Sequence, residues 1–277
     1  MPDSIAVYVA ASDFAHFPII SDDNARRLAL RAGSIDAGSV TDLKTLGSWR
    51  KVPGATAYTA PSSRSDFLGF DVTKAPFDDV HVRRAIAYAT NKAGMAKAGF
   101  DNNVSTLDGM VPDYELSDIA GKENVKKFLA GQPRYSFDVE RAKAEMAQSA
   151  HPKGFSTTVL YIETTPWMRL AGQVLQQDLK PLGITVYLKA VTLNQWFTQF
   201  FRGKLQGMSI ATHLNAQVND PAGLLTYLVG TDGRYNFSHW STDEVNRARS
   251  VILSAAPPSE RWAAARTILS AGARQRL

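Results

Sequence analysis

Apolar positions along the chain follow two periods. Phe67, Leu68, Phe70 and Val72 crowd at strand density and are β-favouring, whereas Val82, Ala85, Ile86 and Ala89 recur on one helical face with Arg83 and Arg84 mostly outside it. Between the two runs, Pro76 cannot donate to a ladder, and Asp78 or Asp79 can accept from the free N–H groups of a helix starting at Val80. The pattern predicts a strand, a turn and a buried helix. Upstream, Ser21, Asp22 and Asp23 are candidate caps for a helix over 24–30 that Gly33 can end in a left-handed conformation. Residues 46–66 hold Gly47, Pro53, Gly54 and Pro61 and read as a connection with at most a short strand at 55–59.

Downstream, residues 100–134 show weak periodicity and many turn formers, so an irregular stretch is expected. Asp138 then caps a helix through Met146, and 157–162 reads as a strand. Residues 168–182 form a helix with Leu170, Val174, Leu175, Leu179 and Leu182 on one stripe. A strand at 184–191, a helix at 195–202 and a strand at 206–211 continue the alternation, and helices follow Pro221, Thr242 and Ser259. Repeated βα alternation predicts an α/β lobe whose helices cover a mixed sheet.

Composition narrows the function classes. An apolar share of 44% with 21% charged residues describes an ordinary globular chain, and no apolar run reaches the roughly 20 residues needed to cross a bilayer. The formal charge of +5 is spread among acids rather than blocked, which argues against a nucleic-acid partner. Cysteine is absent, which removes disulfides, thiolate metal sites and cysteine nucleophiles. His16, His81, His151, His213 and His239 show no helical ligand spacing, and phosphate-loop, dinucleotide and nucleophile-elbow motifs are missing. The expectation is a non-enzyme without metal or cofactor. Asp3, before the short apolar patch at 5–11, stands where a signal peptide would carry positive charge, so no signal peptide is visible.

A binding protein needs loops at strand ends bearing aromatics and amides. Three loops qualify. Thr164, Thr165 and Trp167 follow the 157–162 strand; His213, Asn215 and Gln217 follow the third strand, ahead of Asp220; Arg234, Tyr235, Asn236 and Trp240 form a polar-aromatic cluster. Trp167 could stack on a ligand or staple the start of its own helix.

The runs DDNARRLALRAGSIDAG, FLGFDVTKAPFDDVHVRRAIAYATN, YSFDVERAKAEMAQSAHPKGF, AGQVLQQDLKPLGITVYL, VNDPAGLL, YNFSHWSTDEVNRA and SERWAAARTI follow one another in the order and spacing of one family. Over roughly residues 20–270 the chain resembles the family 5 extracellular solute-binding proteins, the receptors of peptide and nickel ABC importers. The resemblance implies a periplasmic-binding-protein-like (type II) α/β fold, with a partial first lobe at 1–66 and a second, ligand-binding lobe at 67–277. It implies a receptor that captures a small polar ligand in an inter-lobe cleft and delivers it to ABC permease subunits, in the periplasm or outside the cell. Asn236 matches a position where the family often places a cleft-lining Asn. Members are about twice as long, so a fragment or truncated product is expected; the alternative reading is a truncated remnant acting as a protein-interaction module.

Departures from the family bear on the ligand. Peptide binders place an Asp for the ligand's amino group where this chain has Gln217, and dipeptide binders place an Arg for its carboxylate where this chain has Ile162. A neutral amide cannot ion-pair an ammonium, and isoleucine has no fork. Zwitterionic dipeptides are therefore expected to be excluded, in favour of a sugar-like solute, an opine or a non-standard peptide.

Overall fold

A computed structural model describes residues 16–60, 64–107, 109–201, 205, 207–214, 221–233 and 235–275, without the side chains of 201, 213, 214 and 221–224. The chain divides into two compact units, residues 1–59 and 60–277.

The smaller unit contains α1 (Asp23–Arg31) and the short α2 (Leu46–Trp49). Asp22 caps α1 by accepting from the Ala25 N–H at 2.7 Å, and Gly33 ends it at φ +71°. Asp23, one residue inside the cap, gathers the rest of the unit. Its carboxylate accepts from Arg26 Nη2, Thr41 N and Oγ1, Thr45 Oγ1 and Trp49 Nε1 at 2.7–3.0 Å. Burial alone would raise its pKa, but the bonds from Thr45, Trp49 and Thr41 outweigh that and hold it far below the usual carboxylate range. No strand forms at 55–59, where Tyr58 is 90% exposed.

The larger unit is built on a sheet of β1 (Arg64–Phe70), β2 (Ser156–Ile162), β3 (Thr185–Val191) and β4 (Met208–Leu214), in the order β1-β4-β2-β3. β2 runs parallel to both β3 and β4, and β1 runs antiparallel to β4. β1 starts three residues before Phe67 because Arg64, Ser65 and Asp66 pair with Leu214, His213 and Thr212. Helix α8 (Pro166–Leu179) covers one face, where a Cβ on Gly172 would meet Leu188 of β3 and Ile210 of β4. Helix α9 (Leu193–Phe201) covers the other, where Trp196 Nε1 donates to Ser209 Oγ at 2.9 Å. The helices lie on both faces of the sheet, as the alternating βα pattern requires.

The helix α3 (Val80–Ala89) begins where expected, with Asp79 accepting from His81 N at 2.8 Å. Val82, Ala85, Ile86 and Ala89 are buried in the core around the sheet. Arg83 is buried too, at 3% exposure, against the outward position that periodicity assigns it. Its Nη1 donates to the carbonyls of Phe77 and Asp78, Nε to the carbonyl of Gln275 and Nη2 to Gln275 Oε1, all at 2.8–3.0 Å. Gln275 is the last residue of α12 (Pro258–Gln275), so the guanidinium caps that helix's last carbonyl. Replacing Arg83 by methionine leaves three carbonyls without this donor and should cost about 2–4 kcal/mol. Urea unfolding with an unchanged slope and midpoint would contradict that role.

Between these elements lie α4 (Lys92–Phe100), α5 (Asp113–Ala120), α6 (Lys122–Ala130) and α7 (Val139–Gln148). The stretch expected to be irregular thus carries α5 and α6. Gly121, at φ +75°, separates them into pieces of about two turns, too short for a helical period to register. Leu116 and Val125 bury into a second core with residues of α10 (Pro221–Leu228), α11 (Asp243–Leu253) and α12. Among the described residues no helix is long and apolar enough to cross a membrane.

Acid should act through named carboxylates. Burial works against ionisation of Asp71 and Asp79, but hydrogen bonds outweigh it and lower both, those of Thr73 at Asp71 and of the Ala150 and His81 N–H groups at Asp79. With Asp23, they contribute stability that is present above about pH 4 and lost as pH falls through their folded values, because the unfolded chain takes up protons first. Asp178 on α8, which accepts from Asn91 N at 2.8 Å, is shifted upward by burial, so protonating it favours the folded state. Asp178→Asn is therefore expected to raise the unfolding midpoint at pH 7, by an advantage that shrinks as pH falls towards 4. An advantage constant with pH would disprove the assignment.

Candidate functional site

The carboxyl ends of β2 and β4 point the same way, and β1, being antiparallel, brings its first residue to that end. At the end of β2 the chain turns through Glu163, whose N–H donates to Val191 O, and Thr165, whose N–H donates to Ile162 O, both at 3.0 Å. Pro166 then opens α8 at a position where no backbone N–H is needed. Thr164 is exposed and Thr165 half-buried. Thr165 occupies the N-cap position without a side-chain capping bond, so its hydroxyl is not committed to holding the helix start.

Trp167 is half-buried, with its ring tilted 35° against Phe100 of α4 at 5.2 Å between centroids. On the same indole lies the guanidinium of Arg64, its Cζ 5.2 Å from the ring centroid. Arg64 Nε donates to Asp66 Oδ1 at 3.0 Å and to Thr212 Oγ1 at 3.1 Å. The register explains the grouping. Asp66 stands opposite Thr212, and Arg64 lies two residues along on the same face as Asp66, the face covered by α8. Sequence reading missed Arg64 because it fell within the stretch assigned to a connection; the period-two series Arg64, Asp66, Leu68, Phe70 was the available signal.

The other candidates are placed differently. His213 belongs to β4 opposite Ser65, but its side chain lies outside the described residues, as do Asn215, Gln217 and Arg234. Asn236 closes its own loop: Nδ2 donates to the carbonyls of Gly230 at 2.8 Å and Trp240 at 2.9 Å, and Oδ1 accepts from Ser238 Oγ at 2.8 Å. Both amide protons are thereby used within the loop. The Tyr235 ring meets Tyr227 edge-on at 5.6 Å, and Trp240, 7% exposed, packs in the helical core. This loop joins the sheet through Val72 N–H to Ser238 O just beyond the end of β1, and its Phe237 stacks on Phe67 in the middle of that strand at 5.4 Å. Asp71, 2% exposed, accepts there from Thr73 and pairs with Lys74 and with His239 at 3.1 Å. Thr164, Thr165 and Trp167 thus share an end of the sheet with Arg64, while the loop of Asn236 and Trp240 is tied to Val72, past the last residue of β1. Among the described residues no group of three or more His, Cys, Asp or Glu is arranged to hold a metal ion.

Comparison with known proteins follows the same lines. The sequence profile of the family described as bacterial extracellular solute-binding proteins, family 5 Middle, matches residues 10–236. Glutathione-binding protein GsiB from Salmonella choleraesuis is 23% identical over 250 residues, covering 87% of this chain and 46% of that protein. The ABC transporter substrate binding protein CtaP from Listeria monocytogenes superposes with a TM-score of 0.80 at 21% identity, over 93% of this chain and 51% of that one. The ABC transporter-associated periplasmic binding protein DppA from Helicobacter pylori, in complex with peptide STSA, gives 0.77 at 20% identity, over 92% and 48%. The chain spans about half the length of these relatives, and its fold is that of the type II periplasmic binding proteins, as expected. With the profile covering most of its length, the chain belongs to family 5 of the bacterial extracellular solute-binding proteins.

Proposed function

We propose that this chain forms part of the solute-binding component of an ABC importer, and that Thr164, Thr165 and Trp167 line its ligand wall. The observation that carries this reading is the placement of a half-buried indole, backed by Phe100, beside two threonines at the carboxyl end of β2. In open α/β sheets ligands bind outside the carboxyl ends of the strands. An aromatic platform with a few polar groups suits a small polar solute. β4 ends beside β2, and His213, Asn215 and Gln217, on or after β4 in the sequence, are kept as ligand candidates in this reading. The smaller unit contributes part of the first lobe of such a receptor and the larger unit the second.

The protein acts by capture and hand-over to a permease outside the cytoplasm, with no bond made or broken. Ile162, 6% exposed at the end of β2, presents no polar atom, which supports the exclusion of zwitterionic dipeptides. The test is calorimetry and thermal shift with sugars, opines, oligopeptides and metal chelates, on wild-type protein and Trp167→Ala. At least one polar solute should bind, and the variant, which removes the indole from this wall, should weaken it about tenfold or more. Binding of no polar solute, or full binding by Trp167→Ala, would count against the reading.

A further inference from the structure

The sheet ends at β3, whose outer edge carries no further strand among the described residues. Thr185 N–H donates to Phe155 O at 2.9 Å and Val191 O accepts from Glu163 N–H at 3.0 Å, so the odd-numbered residues of β3 turn their backbone groups towards β2. Val186, Leu188 and Ala190 turn theirs outward. Gln176 of α8 reaches the edge and donates from Nε2 to Val186 O at 2.8 Å, which leaves that carbonyl a second lone pair. Among the described residues no hydrogen bond reaches the outward N–H and C=O groups of Leu188 and Ala190. Tyr187, 59% exposed, stands on this strand beside the exposed Lys189 and Ala190, and Leu193, just past its end, is 50% exposed. An edge with unused backbone groups and exposed apolar surface is a template for another strand.

We infer that two copies of this chain associate edge to edge through β3, antiparallel about a two-fold axis at Leu188, and join their sheets into one. The strand is complementary to itself in that register, which favours a second copy as the partner. Leu188 meets the partner's Leu188 and Val186 meets the partner's Ala190, and each of these outward-facing pairs exchanges N–H···O bonds in both directions. On the other face of the strand, Tyr187 stands opposite the partner's Lys189 at the close spacing of a non-hydrogen-bonded pair, and the two-fold repeats the contact. A lysine on an edge ordinarily discourages pairing. In this register it meets a tyrosine ring, and Lys189 is the sole charged residue of β3, so like charges do not face each other. This association goes beyond the ligand reading and does not depend on it. The axis lies at mid-strand, so the carboxyl ends of β2 in the two copies point to opposite ends of the joined sheet.

Sedimentation of the wild-type chain from about 1 to about 200 μM tests the association, and a shift from monomer to dimer over that range is expected. Ala190→Pro removes an outward N–H that no described residue uses, so the unfolding midpoint should hold while the dimer dissociation constant rises about tenfold or more. Tyr187→Lys sets lysine against lysine and should weaken the dimer to a similar extent. Adding Lys189→Tyr to it re-creates the opposed pair and should restore the dimer, which a surface that needs only Tyr187 would not do. Because the chain has no cysteine, Leu188→Cys should form an intermolecular disulfide on mild oxidation, and Thr185→Cys, whose counterpart in the register is the partner's Val191, should not. A wild-type protein that stays monomeric throughout overturns the inference and leaves the edge to a strand of another protein. A dimer that neither Ala190→Pro nor Tyr187→Lys weakens assembles through a different surface and overturns it equally. Should Ala190→Pro not fold, the double substitution and the cross-link decide, and failure of both overturns the inference. Failure of every solute to bind would count against the receptor reading and leave this association standing.

Discussion

Replacing Asp23 by alanine is expected to unfold the smaller unit while leaving the larger one folded. Five donors within 3.0 Å converge on this carboxylate from α1, from Thr41 and Thr45 in the following segment, and from the indole of Trp49. Such a unit has little apolar core to fall back on; Leu46, Trp49 and Val52 are its buried large side chains among the described residues. Hydrogen bonds to a charged acceptor contribute about 1.5–3 kcal/mol each, and removing the acceptor strands partly buried donors, so the loss should exceed about 3 kcal/mol. Asp23→Asn, which keeps an acceptor oxygen but no charge, should lose less. Hydrogen exchange resolves the two units: amide protection should collapse across α1 and α2 and persist across β2 and β4. Retained protection in α1 and α2 would show that the carboxylate is not what organises the unit.

The second large effect is expected at Gly154. Gly154 at φ +85° and Gly183 at φ +72° meet back to back just before β2 and β3, whose register starts at Ser156 opposite Thr185. A Cβ on Gly154 would overlap the Gly183 carbonyl and lie 2.7 Å from its Cα, both rigid backbone. Gly154→Ala therefore combines a left-handed penalty of about 1 kcal/mol with a displacement of the start of two parallel strands, for a total of about 3 kcal/mol or more. Gly121→Ala provides the contrast, because its φ of +75° is similar but nothing lies within 4 Å of the added Cβ. It should cost only the conformational part, and equal losses of midpoint in the two variants would show that the close approach is unimportant.

Much of the fold was legible because its signals are local. Asp22, Asp79, Asp138 and Thr242 each accept from a backbone N–H at a helix start, as their spacing before apolar runs indicates. The strand over 156–162 and the helix after it follow from period alone. Of the residues singled out for a ligand, Thr164, Thr165 and Trp167 fall at the β2–α8 turn, where their position after a clear strand puts them. Asn236, in a polar-aromatic loop and at a position where the family often places a cleft-lining Asn, has both amide protons taken by the carbonyls of Gly230 and Trp240. Nothing in the residue order reveals that closure.

The amino-acid sequence by itself determined the α/β class, the caps, most helices and strands, and a family likeness, because these depend on contacts within a few residues or on period. Only the tertiary structure decided where charged side chains end. Arg83 turned inward to meet the end of α12, 192 residues away in the chain. Asp23 became the hub of a unit rather than a cap, and Arg64 came to rest on Trp167 beside Thr212, 148 residues away. A charged group is placed by partners that satisfy it, and when those partners are distant in the chain, local pattern cannot name them.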